Sequence, residues 1–315
     1  MKKIFYWSND IEKNSGEGIL ARNFLKLLRN RYSNYKYINL NKFKKKNNFL
    51  YNYLLPFWGV FQIWRCHLNG HLSCYINYLP IWNFLIFLLL PKKTLLGPIT
   101  GTTTKKNPLY KLLVVLGIYV LKNRKKKLLF SHDQFQKLFI NKKKIFFNFL
   151  FYQFKINSKK SRKKFDLVFY FKKNTNKGNI FLTNLIHIIS HKYKIAVIGD
   201  YFPNFKNKNK TNLKNFGTVS RKKAYKIISS SRFALSSKEN HYSYFVLDSL
   251  SKGLSVFYNK ELKLSTNLKT NMFLPIDFND LVKSSKIIEK SISKNKHKKF
   301  FKFKNTDFNK YLISD

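Results

Sequence analysis

The chain has 315 residues, 44% hydrophobic and 17% aromatic, which excludes a disordered polymer and is enough for two domains with separate cores. Lysine and arginine number 62 against 14 acidic residues, a formal charge of +48, so a partner held by charge is an anion: nucleic acid, anionic lipid or a phosphorylated small molecule. Nearly all of the excess is lysine, which lacks the bidentate fork of arginine, and it accompanies Asn, Ile, Phe and Tyr as an AT-rich codon bias would also produce.

Residues 2–7 read as a buried first strand, and polar Ser8, Asn9 and Asp10 follow at once, a pattern unlike a secretory leader. Gly16 and Gly18 then precede Ile19, Phe24, Leu25 and Leu28 at helical spacing, so a glycine-bearing loop opens an amphipathic helix. Backbone without Cβ admits a ligand closely at that point; a plain tight turn is the alternative. A second strand is expected over 35–40, a solvated stretch over 42–48, and over 49–67 a helix against the sheet, broken at Pro56.

Residues 73–79 read as a strand and 80–90 as a buried or interfacial helix. Cys66 and Cys74 suit a reducing compartment, and the run between them lacks the C-x2-C spacing of a compact zinc site. Residues 93–101 form a strand entering a turn at Gly97, Pro98 and Gly101; Thr100, Thr102, Thr103 and Thr104 supply hydroxyls for a ligand or for a helix cap. Residues 109–121 predict an apolar helix that ends in a cationic cluster at 122–127. That juxtaposition suits an anionic bilayer with lysine stems snorkelling, or a core helix with a solvated end. No apolar run reaches the roughly 20 residues a spanning helix needs, so a cytoplasmic chain, soluble or peripheral, is expected.

After a short strand at 128–130 comes His132 beside Asp133, a candidate for positioning or deprotonating an acceptor hydroxyl; a loop histidine without that role is the alternative. Residues 157–164 are charged and poor in apolar side chains, which places a linker there and divides the chain into 1–160 and 161–315.

The second half restarts the pattern with a strand over 165–171, a helix over 178–190 and a strand over 194–198 ending at Gly199 and Asp200. Lys172, Lys173 and Lys177 stand between the first of these strands and the helix, where cations and free amides converge in the way a diphosphate requires. Residues 222–229 read as a helix, 233–236 as a buried strand, Glu239 as an acidic turn, 243–252 as a helix stopped by Gly253, and 255–258 as a strand. Ligands of open α/β sheets bind beyond the carboxyl ends of the strands, so Glu239 and the amides opening the next helix face a candidate site.

The segment 217–259, with Glu239, Phe245, Val246, Leu247, Asp248, Ser249, Leu250 and Gly253, resembles the donor-binding motif of retaining nucleotide-sugar glycosyltransferases of family 4. The family separates its two acids by seven residues; eight lie between Glu239 and Asp248, and Asn240 replaces the usual glycine. The resemblance implies the GT-B fold, two Rossmann-like α/β domains facing a cleft, the first on the acceptor side and the second binding the donor. It implies that Gly16 and Gly18 match the amino-terminal loop, that Lys172 or Lys173 and Lys177 hold the diphosphate, and that Tyr242, Ser243, Tyr244 and Phe245 present helix amides to it. Asp248 would accept from the ribose and Glu239 would lie near the sugar. With no D-x-D triplet in the chain, catalysis without a metal is expected, and no cofactor beyond a nucleotide-sugar substrate. The acceptor would be a saccharide or a lipid-linked molecule in cell-surface polysaccharide synthesis.

Three other readings remain. Glu239, Asn240 and Tyr244 are also similar to inverting family 10 fucosyltransferases, whose acid–lysine pair is absent here. A nucleic-acid binder would account for the charge, but its stacking platform would need exposed aromatics, and most aromatics here sit in apolar runs. The eight-residue spacing also fits an inactive transferase-like chain.

Overall fold

The computed structural model describes residues 2–10, 16–41, 49–101, 107–124, 127–131, 139, 144–147, 162–173, 175–202, 212–262, 264, 268–294 and 301–303. His132, Asp133, the threonines 102–104 and most of the expected linker lie outside the described residues. The chain divides into two compact units, Met1–Tyr152 with Thr306–Asp315, and Gln153–Asn305.

In the first unit β1 (Lys3–Trp7), α1 (Gly16–Arg31), β2 (Lys36–Asn39), α2 (Phe49–Leu68) and β3 (Leu72–Tyr75) are followed by β4 (Leu79–Pro80) and α3 (Phe84–Leu89). Then come β5 (Leu95–Leu96), β6 (Ile99–Thr100), α4 (Pro108–Arg124), β7 (Lys127–Phe130) and β8 (Lys144–Phe147). All pairings are parallel, in the orders β2-β1-β3-β5 and β4-β6-β7-β8. The strand expected over 73–79 is in fact two pieces, β3 and β4, and its neighbour is likewise split into β5 and β6 at Gly97 and Pro98. The break is matched on both sides: Gly97 N donates to Tyr75 O at 2.7 Å and Leu79 N to Pro98 O at 2.9 Å, while Pro98 has no N–H to continue the ladder.

Pro56 lies inside α2, which runs unbroken through it, contrary to the sequence expectation. The carbonyl of Pro56 accepts from Tyr75 Oη at 2.9 Å, and Leu55, Val60, Ile63 and Cys66 point into the core, so packing on the sheet outweighs the lost helix bond.

The second unit runs β9 (Phe165–Phe171), a 3-10 turn (Thr175–Lys177), α5 (Asn179–Ile189), β10 (Ile195–Gly199), β11 (Leu213–Asn215), α6 (Arg221–Ser229) and β12 (Ser231–Leu235). It continues with α7 (Tyr244–Ser251), β13 (Ser255–Asn259), β14 (Leu268–Thr270), β15 (Phe273–Ile276), α8 (Leu281–Lys294) and β16 (Phe301–Phe303). Six strands form one parallel sheet in the order β11-β10-β9-β12-β13-β15, and β14 pairs antiparallel with β16. Numbered within this sheet the order is 3-2-1-4-5-6, the doubly wound order, with its reversal point between β9 and β12. Strand alternation sends Leu167, Phe169 and Phe171 to one face, where they pack with Leu185, Ile186 and Ile189 of α5 and Ile288 and Ile292 of α8. Each such fully buried side chain contributes about 1.5–3 kcal/mol of burial free energy.

Candidate functional site

The site is built at the carboxyl ends of β9, β10 and β12, on either side of the reversal point. The loop after β9 carries Lys172, Lys173 and Lys177; the loop after β12 carries Glu239; α7 opens just beyond. Parallel pairing of β12 with β9 brings the two loops together, and Lys238 N donates to Lys177 O at 3.1 Å. Lys177 Nζ and Glu239 Oε1 form an ion pair whose side chains are 32% and 27% exposed, so both heads remain within reach of a ligand.

The other two lysines are engaged differently. Lys172 Nζ lies 2.9 Å from Asp200 Oδ1, and Lys173 donates its backbone N–H to Asp200 Oδ2 at 2.9 Å. The hydrogen bond to Asp200 raises the pKa of Lys172, while the Lys173 amide and then the Lys172 ammonium hold the Asp200 carboxyl below its ordinary value. Asp200 follows Gly199, whose φ of +113° is a conformation side chains avoid; a Cβ there would stand 2.3 Å from Phe171 O. The close approach lets Asp200 N donate to Phe171 O at 2.9 Å and sets the carboxylate across the β9 loop.

Ser243 caps α7 by accepting from Val246 N at 3.4 Å, and the first turn of a helix leaves amide N–H groups without helical acceptors. The start of α7 is therefore a donor-bearing, electropositive point beside Glu239. Within the expected amide set, Tyr242 N already donates to Asn240 Oδ1 at 2.9 Å, and the Tyr242 side chain is fully buried. Tyr244 and Phe245 are half-buried, and the Phe245 ring lies 6.2 Å from that of Tyr170 at the end of β9. Tyr170 is 40% exposed, an aromatic surface beside the lysine loop that carries no signature in the sequence.

Asp248 lies inside α7, only 6% exposed, with Oδ1 3.2 Å from Arg221 Nη2 at the start of α6. Its carboxylate thus braces α6 against α7. Gly217 and Thr218, ahead of α6, close back on β10: Gly199 N donates to Gly217 O at 3.0 Å and Thr218 Oγ1 to Gly199 O at 3.0 Å. Gly16 and Gly18 belong to the first unit, where they open α1; Gly18 is buried, and a methyl on Gly16 would meet nothing within 4 Å. His132 lies outside the described residues. The site partners absent from the sequence reading are Asp200, Arg221 and Tyr170; the only local signal was the Gly199-Asp200 strand end. Among the described residues no cluster of three or more His, Cys, Asp or Glu could hold a metal ion.

No protein-family model matches the sequence, and no curated protein sequence does. Solved structures do. The chain is similar to sucrose-phosphate synthase from Thermosynechococcus elongatus, with a TM-score of 0.63 and 10% identity over 94% of this chain and 90% of that one. It is similar to WaaG, a glycosyltransferase of lipopolysaccharide biosynthesis, with a TM-score of 0.56 and 10% identity over 92% and 90%. It is also similar to HepE of Anabaena, solved in complex with UDP, with a TM-score of 0.54 and 11% identity over 94% and 91%. At such identities the likeness establishes the fold: two Rossmann-like α/β domains of the GT-B type.

Proposed function

We propose that the chain is a glycosyltransferase that moves a sugar from a nucleotide-diphosphate donor to a saccharide or lipid-linked acceptor. One observation carries the reading: a lysine–glutamate pair, half-exposed, at the reversal point of a doubly wound sheet and beside a helix start. The similarity to glycosyltransferase structures, one of them solved with UDP, supports it.

In this proposal the bond between the anomeric carbon and the diphosphate breaks with its electron pair going to the diphosphate oxygen, the acceptor hydroxyl oxygen bonds to that carbon, and the hydroxyl proton passes to an acceptor-side base. Lys177 and the amides of α7 hold the departing diphosphate, whose charge would compete with Glu239 for the ammonium. Glu239, released from Lys177, then faces the sugar, where a carboxylate favours an oxocarbenium-like centre. Lys172, neutralised by Asp200, shapes the β9 loop, and Lys173 is the second candidate cation. Asp248 is proposed to act on the ribose side together with Arg221, and Gly16 and Gly18 on the acceptor side.

His132 with Asp133 is proposed from the sequence alone as the acceptor-side base. We extend the proposal to a retaining, family 4 hexosyl transfer in which lysines and a helix dipole replace a metal, serving cell-surface polysaccharide synthesis on the cytoplasmic side of the plasma membrane.

The test is thermal stabilisation by UDP, GDP and ADP at physiological salt, with inorganic tripolyphosphate as the charge control and Lys177→Ala as the variant. Stabilisation by one nucleotide above tripolyphosphate, lost in K177A, supports the reading. Equal effects of all polyanions that disappear with salt would reduce it to charge attraction.

A further inference from the structure

We propose that the outward face of α2, α3 and α4 in the first unit is a docking surface for an anionic lipid bilayer, with the three helices lying in the headgroup region. The proposal deepens the plasma-membrane setting of the proposed function but stands on residues outside the donor site, so vesicle binding and nucleotide binding fail independently.

The core-facing side of α2 is accounted for, yet Leu54, Trp58, Phe61, Trp64 and Leu68 are 54%, 44%, 51%, 40% and 77% exposed. Their spacing of three and four places them along one stripe of the helix. The next two helices repeat the pattern. Leu85, Leu88 and Leu89 of α3 are exposed, and so are Leu109, Leu112, Val115 and Tyr119 of α4, whose opposite side buries Val114 and Leu121.

The helices adjoin, with α3 in contact with both others. Trp64 Nε1 donates to Leu89 O at 2.6 Å, tying α2 to the end of α3, and Arg124 at the end of α4 donates to Pro91 O. Gly117 brings α4 against the backbone entering α3, where a Cβ would stand 1.9 Å from Ile81 O. The stripes therefore share one surface. Contiguous apolar surface on a chain of charge +48 marks an interaction site rather than an ordinary exterior.

Charge selects the occupant. No aspartate or glutamate stands between Glu17 and Asp133, so every charged residue of that stretch, all three helices included, is cationic. Arg65, Lys92, Lys93 and Lys111 are exposed on or beside the three helices, and lysines 42, 44–46, 105–106 and 125–127 flank α2 and α4 in sequence. Such a surface repels a second copy of itself. Nucleic acid would satisfy the lysines but offers no apolar phase for leucine and valine stripes. An anionic bilayer offers both phases: acyl chains for the stripe and headgroups for the lysines. Of the chain's 4 tryptophans, Trp58 and Trp64 are exposed on this face and Trp82 is half-buried just before α3, as suits side chains that prefer the membrane–water boundary. Among the described residues no helix is long and apolar enough to cross a membrane, so the proposed mode is attachment along the surface.

The test is flotation of the full chain with vesicles of phosphatidylcholine alone or mixed with phosphatidylglycerol. Tryptophan emission is followed at the same time, with brominated acyl chains as quencher. Trp58→Ser with Phe61→Ser, and separately Leu112→Ser with Val115→Ser, remove apolar surface without changing charge; circular dichroism checks that each variant is folded. Binding to the anionic vesicles, a blue shift quenched by bromine, and a loss of about tenfold or more in partitioning for each pair would support the proposal. The quenching arm uses the unaltered chain, so a misfolded variant does not blunt the test. Bound protein whose emission neither shifts nor is quenched would overturn it in favour of charge attraction alone. Self-association of the unaltered chain that the substitutions abolish, without vesicle binding, would instead assign the face to a second copy.

Discussion

Lys177 and Glu239 stand 62 positions apart in the chain and meet as an ion pair because β12 docks beside β9. Neither β9 nor β12 carries the pair by itself; the parallel register of the two strands delivers it. Each partner neutralises the other.

Glu239→Gln separates the two roles. It removes the carboxylate that competes for Lys177, so nucleotide-diphosphate affinity is expected to stay level or rise, while sugar transfer falls by about 10²-fold or more. Lys177→Ala is expected to weaken nucleotide binding by roughly 10- to 100-fold, the loss of one charge-assisted contact. Calorimetric titration against a labelled-sugar transfer assay measures both. If E239Q weakens the nucleotide as much as K177A does, the division of labour is wrong.

Arg221 and Asp248 should behave as one structural unit. Asp248→Ala and Arg221→Ala are each expected to cost on the order of 1–3 kcal/mol in urea unfolding, and the double variant clearly less than the sum. A ribose contact by Asp248 predicts something further: nucleotide affinity drops in D248A but not in R221A. Losses of affinity that follow stability equally in both would leave Asp248 as a brace only.

Gly199→Ala puts a methyl into a backbone conformation of φ +113° and against Phe171 O. A loss of at least about 2 kcal/mol is expected, from strain plus clash, and the Asp200 carboxylate should leave Lys172. Denaturant unfolding gives the first, and carboxyl chemical shifts the second. A neutral substitution would mean that the β10 turn relaxes enough to take a side chain at Gly199.

The Asp200–Lys172 contact has a defined pH window. Asp200 titrates below its ordinary 3.8, so its contribution is complete above that value and disappears as pH falls through the lowered folded pKa. Lys172 titrates above its ordinary 10.5, so its contribution is complete below that value and is lost as pH rises through the raised one. Between those limits the contact should be insensitive to pH, and Asp200→Asn should remove the acid limb. Carboxyl-detected titration tests this; a midpoint for Asp200 at or above 3.8 contradicts it.

What the residues determined alone is local. Ser220 and Ser243 cap α6 and α7, Gly253 takes φ +75° beyond α7, and short apolar runs mark β9, β10, β12 and β13, because caps, left-handed turns and continuous apolar runs depend on a few neighbouring residues. The alternation of strand and helix in both halves was legible for the same reason. Strand order was not, and it decides which loops meet: β9 beside both β10 and β12 places Asp200 on Lys172 and Glu239 on Lys177.

Packing also overruled local rules at Pro56, where burial of α2 on the sheet kept the helix whole. The exposed stripe of α2 was equally hidden in the sequence, since a helix apolar on every side carries no period to say which side the sheet will cover. Only the tertiary structure makes that choice, because burial is a property of the neighbours a residue acquires and not of the residue.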